Sequence, residues 1–249
     1  MDLCLYCPVC LSEQLASCSD DLFRKCLNCS LVFQVRLPAD PMAVYTRDNY
    51  DAARAQVGLR LGVWERFQHD RGVALKRMQQ LSHVLPGPSP DCLWVDVGCG
   101  SGGFISLARQ IGYSVIGVET DPAFCKDLSH FLIAAVETSY EFFIGCTPEA
   151  QVISFFDVLE HVADPFAVVS HAGDNLAAGG CLVFEFPDIG QHLDENLETF
   201  SHHKPDEHLF HFSSPSLEML RSKALPSFER VHEAIPIAGK LQVVWKKPL

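Results

Sequence analysis

A glycine-rich segment beginning at Asp96 has the residue types that bind a nucleoside cofactor. Asp96 lies in an apolar, β-branched run, and Gly98, Gly100 and Gly102 follow it. Glycine accepts positive φ angles and lets a ligand come close to the backbone, because it has no Cβ atom. Glu119 ends the next apolar run, and an acid there can accept hydrogen bonds from two ribose hydroxyls. The spacing therefore predicts a cofactor that contains a nucleoside.

The glycines alone leave two kinds of cofactor open. Gly103 occupies the place of the third glycine in a dinucleotide fingerprint, so a nicotinamide cofactor is compatible with them. Two further segments carry a more specific signal. Residues 95–102 read VDVGCGSG and residues 155–165 read FFDVLEHVADP.

Together these segments resemble class I S-adenosylmethionine-dependent methyltransferases of the small-molecule branch, over roughly residues 70–247. In that family an acid at the position of Asp96 lies near the positively charged end of the cofactor, which favours S-adenosylmethionine over NAD. Glu119 resembles the ribose-binding acid. The resemblance implies the following cofactor-binding residues: Asp96, Gly98, Cys99, Gly100, Glu119, Thr120, Phe156 and Asp157.

Histidines supply the candidate catalytic residues. Methyl transfer from a sulfonium is an in-line displacement, and an oxygen or carbon acceptor usually also needs a base. The segment EHLFHFS at 207–213 resembles the "EHL-x-x-FS" segment of small-molecule methyltransferases, and five histidines fall between His192 and His211. The candidate bases are His208, His203 and His161. The alternatives are that His208 orders the loop, that His161 shapes the pocket, or that this cluster binds a metal.

Two Cys-x-x-Cys pairs near the N-terminus predict a structural zinc site. Cys7 and Cys10 form the first pair, and Cys26 and Cys29 form the second, with 15 residues between the pairs. Two such knuckles can supply four thiolates to one tetrahedral zinc ion. Four thiolates leave no open position on the ion, so the site is expected to be architectural. The module could also line the acceptor entrance or mediate a homodimer.

Composition restricts the compartment and the partners. The chain has 249 residues, 48% of them hydrophobic, and a formal net charge of −12. This charge argues against a nucleic-acid partner, because such proteins usually carry a basic face. No run of apolar residues is long enough for a membrane span, and no secretory signal is recognisable. Eleven cysteines without such a signal predict a reducing, cytoplasmic location.

Hydrophobic periodicity predicts an α/β protein with a Rossmann-like sheet. The predicted divisions are a zinc-binding module at 1–34, a helical linker or cover at 35–90 and a cofactor-binding domain at 91–249. The family resemblance implies seven strands that close with an antiparallel hairpin. Predicted strands span 93–97, 114–118, 132–136, 151–156, 181–186, 227–233 and 240–246, and predicted helices span 103–111, 121–130, 165–177 and 214–224.

Several functions stay open at this stage. The leading prediction is methylation of oxygen or nitrogen in a small-molecule acceptor, namely a sugar, capsule or natural-product intermediate. The zinc module also resembles that of deoxysugar C-methyltransferases, but this chain is expected to be too short for their C-terminal domain. The alternatives are a ribosomal- or transfer-RNA methyltransferase, a non-catalytic cofactor-binding interaction protein and, less favoured, an NAD-dependent oxidoreductase.

Overall fold

The computed structural model describes residues 4–38, 46, 48–49, 51–52, 61–130, 135–137, 149–193, 196–237 and 239–249. The strands are β1 Leu15–Ser17, β2 Phe23–Cys26, β3 Val32–Gln34, β4 Leu93–Val97, β5 Ser114–Glu119, β6 Ala135–Glu137, β7 Ala150–Phe156, β8 Leu176–Pro187, β9 Phe210–His211, β10 Glu229–Ile237 and β11 Lys240–Lys246. The helices are α1 Val63–Leu81, α2 Gly103–Gln110, α3 Pro122–His130, α4 Pro165–Asp174 and α5 Ser214–Ala224.

The main sheet has seven strands in the order β10-β11-β8-β7-β4-β5-β6. Strands β8, β7, β4, β5 and β6 run parallel, whereas β11 is antiparallel to both β8 and β10. The predicted α/β class, the seven strands and the closing hairpin are therefore confirmed. The carboxyl ends of β4, β5 and β7 meet at one edge of the sheet, where open α/β sheets bind their ligands.

Element bounds agree with the sequence prediction except at a few ends. Helix α4 was predicted to reach residue 177, but it ends at Asp174 because Leu176 already pairs with Ala150 as the start of β8. Of the strand predicted at 132–136, residues 132–134 lie outside the described part of the chain. A short turn of 3-10 helix, Leu159–His161, connects β7 to α4. Helix α4 then begins at the Asp-Pro pair of the second motif, where the Asp164 carboxylate accepts a hydrogen bond from the Ala167 N–H at 2.9 Å.

Helix α1 lies against the main domain through one apolar face. Phe67, Ala74, Met78 and Leu81 are buried on it, whereas Trp64 is 55% exposed. Trp64 stacks on Phe67 at the start of the helix. Part of the predicted linker, residues 39–45, 47, 50 and 53–60, lies outside the described residues.

A second, smaller sheet contains the N-terminal strands. Its order is β1-β2-β3-β9, and all of its pairs are antiparallel. Strand β9 comes from the loop before α5, and it places His211 opposite Val32 and Phe210 opposite Phe33. The N-terminal segment is thus joined by backbone hydrogen bonds to the histidine-rich loop. The division of the chain at residues 34 and 90 stays a prediction. Within the part of the chain that is described, no helix has the length and apolar character needed to cross a membrane.

Candidate active site

The glycine loop turns sharply between β4 and α2. Gly98, Gly100 and Gly102 all have positive φ angles, of 72°, 51° and 77°. A Cβ atom on Gly98 would lie 2.5 Å from Cγ2 of Val158, so the loop packs directly on the turn that follows β7. Among the described residues, a Cβ atom on Gly100 would meet nothing within 4 Å. Open space in front of the Gly100 backbone fits a bound cofactor.

Glu119 organises this loop from the end of β5. Its Oε2 accepts a hydrogen bond from the Gly100 N–H at 2.8 Å, and its Oε1 accepts from the N–H groups of Thr120 and Asp121 at 2.7 and 3.0 Å. Burial raises the pKa of Glu119, while these three N–H donors work in the opposite direction. The predicted ribose acid thus lies beside the open space at Gly100, and Thr120 contributes its backbone there.

Asp96 is 3% exposed at the end of β4. The Ser154 hydroxyl donates a hydrogen bond to its Oδ1 at 2.5 Å, and the Trp94 indole N–H donates to the Ser154 oxygen at 2.8 Å. Burial raises the pKa of Asp96 to about 7, against the opposing effects of Ser154 and Arg77. A positively charged ligand nearby would favour its ionised form.

The other predicted cofactor residues have mainly packing contacts. Cys99 is 7% exposed. A Cβ atom on Gly117 would lie 2.7 Å from the Cys99 Sγ, so the missing side chain at Gly117 leaves room for this thiol. The ring of Phe156 packs on Phe104 with centroids 4.7 Å apart. The Arg77 guanidinium lies over the ring of Phe156, with its Cζ 4.3 Å from the ring centroid.

Asp157 belongs to an ion network that local sequence patterns did not reveal. It has a φ of 58°, which is uncommon for a residue with a side chain. Its Oδ1 accepts a hydrogen bond from Lys240 Nζ at 2.6 Å, and its Oδ2 lies 3.3 Å from Arg77 Nη2. Arg77 also contacts Glu185, which is fully buried in β8. The sequence signal of this network was Glu185, a charged residue within the apolar run of β8.

Two of the three candidate bases lie together. The rings of His161 and His208 have centroids 4.8 Å apart in an edge-to-face arrangement. The Leu209 N–H donates to the Glu160 carbonyl at 2.9 Å, which joins the loop of His208 to the turn of His161. Burial lowers the pKa of His161 to about 4 and also lowers the pKa of His208. Both imidazoles are therefore neutral near pH 7.

His203 lies apart from that pair. Its Nε2 is 2.9 Å from the carboxylate of Asp20, and its Nδ1 is 3.1 Å from Nε2 of His211. Phe23 of β2 packs against both imidazole rings. Both ring nitrogens of His203 have partners in or beside the small sheet. His203 therefore links the histidine-rich loop to that sheet.

The four predicted zinc ligands converge. The Sγ atoms of Cys7, Cys10, Cys26 and Cys29 all lie within 4.8 Å of one another. The two cross pairs, Cys7–Cys29 and Cys10–Cys26, are separated by 3.6 and 3.4 Å. Thiolates that share one zinc ion at ~2.3 Å lie about 3.8 Å apart, so these distances fit zinc.

Both cysteine pairs have the same local backbone geometry. Leu11 and Ser30, each one residue after a pair, have positive φ angles of 62° and 64°. Their N–H groups donate to the carbonyls of Cys7 and Cys26, both at 2.9 Å. The repeated turn brings the two cysteines of each pair toward a common point.

The sheet carries a glycine loop and, at the carboxyl ends of β4 and β5, the acids Asp96 and Glu119. This fold and site define a class I S-adenosylmethionine-dependent methyltransferase. The sequence profile of the family described as "Methyltransferase domain" matches residues 67–224, which is more than half of the chain. The chain belongs to this family. No curated protein matches it in a sequence comparison.

Solved structures share the fold at low sequence identity. A SAM-dependent methyltransferase from Archaeoglobus fulgidus is 15% identical, with a TM-score of 0.56 over 74% of this chain and 97% of that one. Magnesium protoporphyrin IX methyltransferase from Synechocystis PCC 6803, with bound SAH, is 13% identical, with a TM-score of 0.57 over 82% and 96%. A chain of the complex between the Haloferax volcanii Trm112 methyltransferase activator and the putative methyltransferase is 13% identical, with a TM-score of 0.60 over 82% and 99%.

Proposed function

We propose that this protein methylates an oxygen or nitrogen atom of a small-molecule acceptor, such as a sugar, capsule or natural-product intermediate. One observation carries the proposal: the contact between Gly98 and Val158 joins the glycine loop to the turn that bears Glu160 and His161. A cofactor at the loop and an acceptor at the histidines would thus be neighbours. The net charge of −12 supports a small acceptor over an RNA backbone.

The cofactor would be held mainly by the carboxyl ends of β4 and β5. Glu119 has the position to receive the ribose hydroxyls, and the open face of Gly100 lets the nucleoside approach the backbone. Asp96 would balance positive charge at the methionine end, with Phe156 and Asp157 along the same edge. S-adenosylmethionine supplies an electrophilic methyl group when bound. The residues of the chain orient the acceptor and exclude water from it.

The acceptor's proton would be handled on the side of His161 and His208. Both imidazoles are neutral near pH 7, and His161 is the more exposed of the two, with 12% of its side chain exposed. His203 is the weaker candidate because Asp20 and His211 occupy its nitrogens. Its proposed role is to join the histidine-rich loop to the small sheet.

The cysteine cluster would bind one zinc ion with an architectural role. Its four sulfur atoms have the separations of a shared tetrahedral ion. Apolar residues of the small sheet such as Leu31 and Phe33 pack with the cysteines in a core that they share with the main domain. Through β9 the zinc module supports the loop that carries His208. Zinc would in this way stabilise the acceptor side of the site without touching the acceptor.

Calorimetric titration tests the cofactor assignment. The protein is titrated with S-adenosylmethionine, S-adenosylhomocysteine and, as a control, NAD. We expect saturable binding of the two sulfur nucleosides and no binding of NAD. Binding of NAD alone would overturn the proposal. An acceptor screen with radiolabelled methyl donor follows, in which His161→Asn and His208→Asn should lower kcat more than His203→Asn does.

A further inference from the structure

Glu160 is a buried carboxylate without a hydrogen-bond donor. It is 2% exposed, and neither of its oxygens has a hydrogen-bond partner within the described structure. A buried polar group without a partner carries a free-energy cost, and such a group calls for a specific explanation, an ion among them. The cost for a carboxylate is larger when it is charged. A cation at this place would remove that cost.

Two imidazoles lie beside this carboxylate. His208 is 4% exposed, and its Nδ1 atom has no hydrogen-bond partner within the described ranges. The nearest ligand atoms of Glu160, His161 and His208 all lie within 4.8 Å of one another. Ligands at ~2.1 Å from one ion are about 3–4 Å apart, so a small contraction would bring all three to a common ion.

His161 already has the orientation of a metal ligand. Its Nδ1 lies 3.0 Å from the backbone carbonyl of Glu207, which can only accept a hydrogen bond, so Nδ1 carries the proton. The unprotonated Nε2 then lies 3.8 Å from Oε1 of Glu160. Metal-binding histidines usually have their other nitrogen fixed by a carbonyl or carboxylate in this way.

We propose that Glu160, His161 and His208 bind one divalent transition-metal ion, separate from the cysteine cluster. One carboxylate with two imidazoles suits zinc, cobalt, iron or manganese better than magnesium or calcium, which prefer oxygen ligands. The site has three protein ligands, so at least one position on the ion stays open. The site lies in and beside the turn that packs on the glycine loop, so the ion would lie on the proposed acceptor side.

This inference rests on the proposed function where it concerns the acceptor, and it narrows the acceptor to one that presents a hydroxyl group. A hydroxyl bound to the ion has a lowered pKa. Its O–H bond breaks, the proton goes to solvent water, and the electron pair stays on the oxygen that will attack. An amine would bind the ion through the same lone pair that it needs for attack. The two histidines would then act as ligands of the ion and not as bases, and solvent water takes the proton.

Cobalt binding tests the site directly and requires no methyl transfer. Co²⁺ is titrated into the full chain loaded with one equivalent of zinc per chain, which the four cysteines take up, and visible absorption is recorded. We expect one further Co²⁺ per chain with weak d–d bands and without the intense sulfur-to-cobalt charge-transfer bands of a thiolate site. Those charge-transfer bands would place the ion at the cysteines instead.

Single substitutions locate the ion. Glu160→Gln, His161→Asn and His208→Asn should each weaken Co²⁺ binding at least tenfold, because each removes one ligand. His192→Asn is the matched control, since it removes a histidine of the same region that is outside the cluster, and it should bind as the wild type does. Retention of S-adenosylmethionine binding shows that each variant is folded. Three variants keep the test decisive if one of them fails to fold.

Two results would overturn the metal site: no saturable Co²⁺ binding by a wild-type protein that binds S-adenosylmethionine, or equal binding by the wild type and the folded ligand variants. Neither result would contradict the assignment of S-adenosylmethionine as the cofactor. Conversely, a protein that binds Co²⁺ at these residues but binds no S-adenosylmethionine would count against the proposed function alone.

Discussion

Arg77 of helix α1 donates two hydrogen bonds to Glu185 in the interior of strand β8, with Nε and Nη2 at 2.9 and 2.6 Å from Glu185 Oε1. The Glu185 side chain is fully buried, and only 11% of the Arg77 side chain is exposed. The second carboxylate oxygen accepts from Gln242 at 2.9 Å. This pair ties the helix beside the glycine loop to the centre of the main sheet, next to Asp157.

Removing Arg77 should destabilise the fold strongly. Arg77→Met leaves the Glu185 carboxylate buried without its cation, and breaking such a pair costs about 3–5 kcal/mol. The double variant Arg77→Met/Glu185→Gln removes the unpaired buried charge and should recover most of the lost free energy of unfolding. Urea unfolding followed by circular dichroism measures both. Arg230→Met, at an exposed ion pair with Glu233, is the control and should cost less than about 1 kcal/mol.

If the double variant is as unstable as Arg77→Met, the explanation by an unpaired buried charge is wrong, and the contact of the Arg77 guanidinium with the Phe156 ring would account for the loss instead.

Gly98→Ala should impair both stability and cofactor binding. The new methyl group would meet Val158 at 2.5 Å and would sit on a residue with a φ of 72°. Gly98→Ala/Val158→Ala should relieve the clash and recover part of the affinity for S-adenosylmethionine, while the backbone strain of about 1–2 kcal/mol remains. Gly100→Ala, with a similar φ and no close neighbour, isolates the strain. Equal stability of Gly98→Ala and Gly100→Ala would argue against the contact with Val158.

The stability that Asp96 contributes should fall as pH rises. Its pKa is about 7 in the folded chain and about 3.9 in an unfolded one. Between these two pKa values the folded state binds more protons than the unfolded state. The free energy of unfolding therefore falls as pH rises, and this decrease levels off above pH 7. Asp96→Asn keeps the shape and cannot ionise. The unfolding free energy of the variant minus that of the wild type should therefore grow between pH 5 and pH 8.

Denaturant unfolding at several pH values measures this difference, which cancels the contributions of other acids such as Glu119. A difference that stays constant across the range would mean that Asp96 does not titrate there.

Glu119→Gln should weaken S-adenosylmethionine binding. The amide would face the Gly100 N–H, which now donates to a carboxylate oxygen at 2.8 Å, and the ribose would lose a charged acceptor. Loss of a hydrogen bond to a charged group is about 1.5–3 kcal/mol, which corresponds to a Kd about 10- to 150-fold higher. Calorimetry measures the change. Glu229→Gln, exposed at the start of β10, should bind like the wild type; a Kd for Glu119→Gln within twofold would exclude the ribose role.

Zinc should depend on the four clustered cysteines and not on their neighbours. Cys26→Ser should lower the metal content by one zinc per chain and speed amide hydrogen exchange in β1 to β3, because the ion supplies much of the stability of this small sheet. Cys18→Ser, in the same segment but outside the cluster, is the control. Elemental analysis and exchange mass spectrometry measure both. Zinc retained in Cys26→Ser would contradict the assignment.

Local sequence signals were sufficient to predict most helices and strands and the edge of the sheet that binds the cofactor. Strand β4 and helix α5 have the predicted bounds, because apolar periodicity and Gly or Ser at the element ends are local signals. The glycines between Asp96 and Gly102 and the acid Glu119 were recognisable because each lies at a fixed distance along the chain from a strand end. The zinc site was recognisable from the spacing of the cysteines within and between the two Cys-x-x-Cys pairs.

Contacts between side chains that are distant in the sequence became visible in the three-dimensional structure. No spacing in the chain indicates that Arg77 contacts Glu185 or that β9 pairs with β3. Nor does it indicate that His203 contacts Asp20 while His208 lies within 4.8 Å of Glu160. Such contacts depend on how strands that are far apart in sequence pair in space and on which partner satisfies a buried charge. Local periodicity records how each segment folds, whereas burial and hydrogen bonding between segments determine which of the histidines form a site.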